Sequence, residues 1–220
     1  MVHMLLTQAL VVGALFVYAS FFEWTLHRFV MHRVLLISYP FRSHTLTHHW
    51  DFRSDASYHL RPNQSYDALT FAWWNAPLLI ALQVPMLWGV EKLSGVPVLW
   101  TGVAIFGLYY FFYEYGHWCM HVRKKRWIET TKVFQWLDAH HRGHHRMHAK
   151  NLNVVFPLAD YVLRTRRHFE WKREEGSLCP ATILPDTAAE HDHRGDIPTQ
   201  WEDQAVSTTG KPSAVSTLSA

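Results

Sequence analysis

The nine residues from His140 to His148, "HHRGHHRMH", hold five histidines. A solvated charge run would use Lys or Glu and a packed core would use Leu, so something here requires imidazole nitrogen. The whole chain has 17 histidines. Thirteen fall in two blocks, six within 27–59 and seven within 117–148, and residues 60–116 contain none. Four spaced clusters emerge: His27 and His32 in "HRFVMH", His44, His48 and His49 in "HTLTHH", His117 and His121 in "HWCMH", and His141, His144 and His145 in "HRGHH".

Neutral imidazole is the commonest protein metal ligand and suits Fe, Zn and Cu alike. Helix residues three or four apart share a face. His44 with His48, His117 with His121, and the 141/144/145 trio are therefore each expected to aim at one point. His27 and His32, five apart, stand about 140° apart on a straight helix; they either serve two different ions or flank a distorted turn. Ten ring nitrogens exceed the four that a tetrahedral zinc takes, so a two-ion centre with about five nitrogens per ion is the economical reading.

Metal-bound histidines commonly give their second N–H to a carboxylate. Glu23 precedes His27 by four residues, and Glu114 and Asp138 precede His117 and His141 by three. These acids are the expected outer partners, and His59, His140 and His148 are candidate additional ligands or outer partners. His3 and His168 read as ordinary, and His191 and His193 belong to a polar tail. Arg142 and Arg146 are expected to face solvent or lipid phosphates.

The elements that must carry these rings are apolar. Residues 5–22, "LLTQALVVGALFVYASFF", carry no charge and approach the ~20 residues of a membrane-spanning helix. A signal peptide would need a basic start and a small-residue cleavage site, which "MVHML" and the following residues do not offer, so an uncleaved helix is expected. Residues 68–90 and 96–116 are two further apolar runs joined by "EKLSG". They predict a transmembrane helical hairpin, with Pro77 and Pro85 kinking its first arm; a buried soluble helix pair is the alternative. "VLLISYPF" (34–41) is too short to span. Segments 23–67 and 117–175 hold five and thirteen Lys or Arg, against Lys92 alone on the other side. The positive-inside rule therefore places both histidine blocks in one cytoplasmic cap. The expected fold is an all-α integral membrane protein. Its domain occupies residues 1–170, with a polar, disordered tail at 171–220.

Composition narrows the rest. A formal charge of +3 gives no case for nucleic acid, and two cysteines, Cys119 and Cys179, make neither a disulfide framework nor a C-x-x-C pair. Cys119 reads as a small apolar filler.

Together, "EWTLHRFVMH", "HTLTHH", "HWCMH" and "HRGHHRMHAKNLNVVFPLADYVLRT" resemble the fatty acid hydroxylase superfamily, with its sterol desaturases, fatty acid hydroxylases and carotenoid-hydroxylase-like enzymes. The resemblance covers roughly residues 20–167. It implies that the ten cluster histidines hold two iron ions (zinc able to substitute in preparations) in a helical membrane protein. It also implies O2-dependent hydroxylation or desaturation of a lipid, sterol, fatty acyl or isoprenoid C–H bond, with Asn153 shaping the pocket. The chain departs from the family in showing three apolar spans rather than the frequent four. It also lacks a cytochrome b5-like haem domain, so electrons are expected from a separate cytochrome b5, ferredoxin or reductase. Two readings from other classes stand beside this one: a membrane metal-binding or transport protein, and a zinc-stabilised structural one. A transporter should place its ligands near the bilayer midplane, whereas here the histidine clusters flank the apolar runs.

Overall fold

A computed structural model of the chain describes residues 2–35, 37–62 and 64–168. The tail at 171–220, with Cys179, His191 and His193, lies outside the described residues. Among these the chain is helical and has no strand. The helices are α1 (Val2–Leu26), α2 (Tyr39–Phe41), α3 (His49–Asp51), α4 (Asn75–Ser94), α5 (Leu99–His121), α6 (Trp127–Thr130), α7 (Lys132–Arg146) and α8 (Leu158–Val162). Two π-helical stretches, His27–Met31 and Arg42–His48, interrupt them.

Two helical stretches, Val2–Met31 and Asn75–Ser94, are long and apolar enough to cross a membrane, and little of either is covered by protein. Leu10 is 75% exposed on α1 and Leu93 is 92% exposed on α4. The third expected span, residues 96–116, lies mostly in α5, which carries four tyrosines, two tryptophans and Glu114 and is not among the helices long and apolar enough to cross a membrane. Pro77 sits in the first turn of α4, where no intrahelical N–H is needed, so only Pro85 lies inside the helix. On either side of residue 36, Leu35 and Ser38 are bends and Tyr39–Phe41 is the single turn α2, with Leu35, Ile37 and Tyr39 exposed.

The three long helices pack side by side. Glu91, near the end of α4, accepts the N–H groups of Val98 and Leu99 at 2.9 and 2.8 Å and so caps the start of α5. A carboxylate there complements the positive helix end. Gly95, at φ +70, makes the reversal that an L side chain would resist. A Cβ on Gly102 would lie 2.4 Å from Leu87 Cδ2, so glycine is what lets α4 and α5 close. Gln8 meets Thr101, and Tyr109 meets Glu23, so α1 runs parallel to α5. Leu15, Ala19, Leu87, Phe106 and Tyr109 form the core between them. Cys119 is fully buried in a second cluster with Tyr58, Tyr113 and Phe134.

The segment after α7 fastens this bundle. Asn153 donates to Ser20 O and Glu23 Oε2, and Glu23 also accepts the Tyr109 hydroxyl (2.6 Å) and the Val154 N–H (2.5 Å). Asp160, fully buried, accepts the N–H groups of Leu152 and Asn153 and the Thr165 hydroxyl. Burial opposes its charge, but these bonds and one from His140 hold its carboxyl below the usual range.

Candidate metal centre

The ten cluster histidines assemble into two groups of five, one nitrogen from each ring lying within 4.8 Å of the others in its group. The first holds His27, His32, His44, His49 and His144. The second holds His48, His117, His121, His141 and His145. The groups abut: the rings of His49 and His145, one from each, have centroids 4.4 Å apart.

Local geometry decides the membership. His32 N–H bonds to His27 O at 3.1 Å, a bond across five residues rather than four. This wider π turn brings positions i and i+5 onto one face, and the two rings stack at 5.0 Å with 16° between their planes. Of the two expectations for this pair, the distorted turn is the one present; the pair does not divide between groups. The same device acts at Arg42–His48, where the His49 N–H bonds to His44 O. His44 therefore joins His49, at 3.1 Å between Nε2 atoms, and not His48 as α-helical spacing predicts. His117 and His121, four apart on α5, do share a group. On α7 the trio splits: residues one apart stand about 100° apart, so His141 and His145 enter the second group and His144 the first.

The tautomers follow from the outer partners. Carbonyls can only accept, so each ring bonded to one through Nδ1 carries its proton there. His27, His48, His121, His144 and His145 donate in this way to Leu152, Ala68, Tyr58, Lys150 and Phe52. His32 donates to Thr45, whose own hydroxyl is committed to Met31 O at 2.7 Å. Nε2 of each is left as a bare lone pair aimed inward. His48 and His145 bring two such lone pairs to 3.2 Å. That contact is repulsive unless a cation lies between them. Burial, reinforced by neighbouring rings, holds His44, His48, His49, His141, His144 and His145 well below the usual imidazole range. They are neutral at pH 7, which is the ligating form.

The spacing also bears on coordination number. Metal–nitrogen bonds of about 2.0–2.1 Å place nitrogens at right angles about 2.9 Å apart and tetrahedral ones about 3.4 Å apart. Neighbouring Nε2 atoms within the groups lie between 2.8 and 3.2 Å. This fits five or six ligands per ion better than a closed tetrahedron.

The expected carboxylate partners are elsewhere. Glu23 is spent on Tyr109, Asn153 and Val154, and Glu114 accepts the Tyr110 hydroxyl at 2.8 Å. Asp138 accepts the Tyr58 hydroxyl at 3.0 Å and pairs with Arg123 at 3.9 Å. Backbone carbonyls serve five of the ten rings instead, His27 among them, while Nδ1 of His141 meets no hydrogen-bond partner. Burial pushes Asp138 up to about 6, moderated by Arg142. His59 and His140 lie outside both groups. His59 donates to Met120 O and accepts from Arg142, and His140 pairs with Asp160 at 3.1 Å. His148 is exposed and lies over the first group, its ring 4.3 Å from that of His49, without joining the five. Arg142 does not face solvent. It is 1% exposed, lies 3.9 Å over the Tyr58 ring and bonds to His59. Tyr58, itself fully buried, packs on His121 at 4.6 Å.

An apolar cleft between α1, α4 and α5 lies beside this cluster, with Phe71 and Tyr113 between it and the rings. Its walls include Leu26, Met31, Leu79, Ile80, Phe106 and Phe71. Phe71 packs on His44 (6.4 Å) and Tyr113 on His117 (5.9 Å), so one ring from each group backs the cleft. Phe71, Tyr58, Thr45 and Asp160 carry no spacing signal that marks them in the sequence.

Comparisons of this chain with protein-family models, with curated proteins and with solved structures find no match.

Proposed function

We propose that the chain is an integral membrane, di-iron, O2-dependent oxidoreductase that hydroxylates or desaturates a C–H bond of a membrane lipid, sterol, fatty acyl or isoprenoid chain. The observation that carries this reading is the convergence of two five-nitrogen groups beside an apolar cleft. The motif resemblance to the fatty acid hydroxylase superfamily supports it.

A lipid C–H proton is not acidic, so side-chain acids and bases cannot remove it. Two iron ions together with O2 would supply the oxidising power, while the protein supplies orientation and a dry site. The residues suit that division. Ten rings offer nitrogen ligands, five of them oriented by carbonyl partners, and Phe52 and Tyr58, both fully buried, wall the second group from water. The cleft walls match an aliphatic or polyene chain entering from the bilayer, between helices whose outer faces are themselves apolar. In this reading the basic cap faces the cytoplasm and a separate carrier delivers electrons.

The test is metal analysis of the detergent-solubilised chain, followed by O2 uptake with reductant and a lipid extract, and lipid and pigment profiling of cells with and without the protein. The expected result is about two iron ions per chain, lipid-dependent O2 uptake and an oxygenated or desaturated product. Bound metal with no lipid-dependent O2 uptake would overturn the oxidase reading and favour a metal-binding or transport protein. Zinc loading should fill the site and support no uptake.

A further inference from the structure

Three tyrosines, Tyr109, Tyr110 and Tyr113, line the cleft from α5. Two of their hydroxyls are committed: Tyr109 to Glu23 at 2.6 Å and Tyr110 to Glu114 at 2.8 Å. The hydroxyl of Tyr113 has no hydrogen-bond partner, although the residue is only 6% exposed. Native structures leave few buried polar atoms unsatisfied, and each such atom calls for a partner. An empty hydrocarbon slot would be served by Phe at this position. We propose that the Tyr113 hydroxyl is the specificity-determining group of the cleft, donating to an oxygen of the bound lipid. The ligand is thus an apolar chain or ring bearing a hydroxyl or carbonyl oxygen, not a plain hydrocarbon.

The placement says where that oxygen sits. Tyr113 stacks on His117 of the second group and packs on Phe71, which in turn packs on His44 of the first. The Tyr113 side chain thus stands between the cleft and the histidines, so an oxygen held on it lies on the cleft wall that the histidines back. This step rests on the oxidoreductase reading: the carbon oxidised is then one close in the chain to that oxygen.

The binding claim is tested without O2 or reductant. The full-length chain and its Tyr113→Phe variant are titrated in the same detergent with a fluorescent fatty acid, which is then displaced by hexadecan-1-ol, methyl palmitate or hexadecane. Shared micelles cancel partitioning between the two proteins. The oxygenated chains should bind Tyr113→Phe about three- to tenfold more weakly, the loss of one neutral hydrogen bond, and hexadecane should bind both alike. Thermal stability without ligand should not fall, because Phe removes an unsatisfied group and no contact. Equal affinity of both proteins for the oxygenated chains would overturn the proposal, as would equal weakening for hexadecane or a drop in ligand-free stability. Failure of any chain to displace the fatty acid would remove the cleft as a lipid site altogether. A chain that consumes no O2 yet shows the selective loss would sink the oxidase reading and leave this one standing. If both hold, Tyr113→Phe should also spread the product over neighbouring carbon positions.

Discussion

His48 and His49 are adjacent in the chain and face different groups: His48 Nε2 lies 3.2 Å from that of His145, and His49 Nε2 lies 3.1 Å from that of His144. Two adjacent pairs on different elements thus straddle the centre in the same way. This makes metal counting diagnostic. His48→Ala and His145→Ala, alone or combined, should lower occupancy at one group and leave the other, so the double variant retains about half of the wild-type metal. His48→Ala combined with His49→Ala should strip both. Elemental analysis of membrane-inserted protein checks this, and the reverse pattern would mean that the rings are assigned to the wrong groups.

Asp160 controls the centre from a distance. It fixes the N–H of Leu152, whose carbonyl orients His27, and it accepts from Asn153, Thr165 and His140. Asp160→Asn places an amide donor against other donors in a buried site. The expected loss is on the order of 2–4 kcal/mol, read as a lower melting temperature, with weaker metal retention in the first group. An unchanged melting temperature would remove Asp160 from this role.

Arg142 should not tolerate lysine. Its guanidinium covers the Tyr58 ring, bonds to His59 Nε2 and faces Asp138. Burial draws its pKa down only to about 10, so it stays charged. Lysine keeps the charge but not the planar fork. Arg142→Lys should destabilise by about 1–3 kcal/mol, in a denaturant titration, while metal content stays near two per chain. Loss of one metal would instead make this network part of the second group's support.

His59→Gln should leave both metals in place, because His59 belongs to neither group. The variant costs at most the Arg142 contact. A fall in metal content would return His59 to the ligand set.

Acid should destabilise the chelator-treated protein. The grouped rings outside the apolar helices are held well below their ordinary values by burial, while the unfolded chain takes up protons near pH 6.5. Below that pH the unfolded state binds more protons, so stability is complete above about 6.5 and falls as pH drops further. Bound metal competes for the same nitrogens and should shift the loss to lower pH. Melting curves from about pH 8 to pH 5, with and without metal, read both effects; a melting temperature that rose on acidification would contradict neutral buried rings.

The amino-acid sequence alone determined which atoms gather here, because ligand chemistry is written in side-chain type. Ten imidazoles in four clusters, flanking uncharged runs, were legible as a two-ion site beside apolar helices, and ten rings in two groups of five are what the fold holds. Which ring joins which group was not legible. Sequence spacing assumes a straight α-helix, and the π turns at His27–Met31 and Arg42–His48 change the angular step just where it matters. The outer partners were misread for a related reason. Glu23, Glu114 and Asp138 stand at helical spacing from histidines, yet five of the ten rings bond instead to the carbonyls of Leu152, Ala68, Tyr58, Lys150 and Phe52. Every residue has a carbonyl, so the sequence cannot mark the ones that serve. The cleft and the Tyr113 hydroxyl are likewise products of three helices meeting. Residue type fixes what an atom can bind; only the packed chain decides what lies within reach of it.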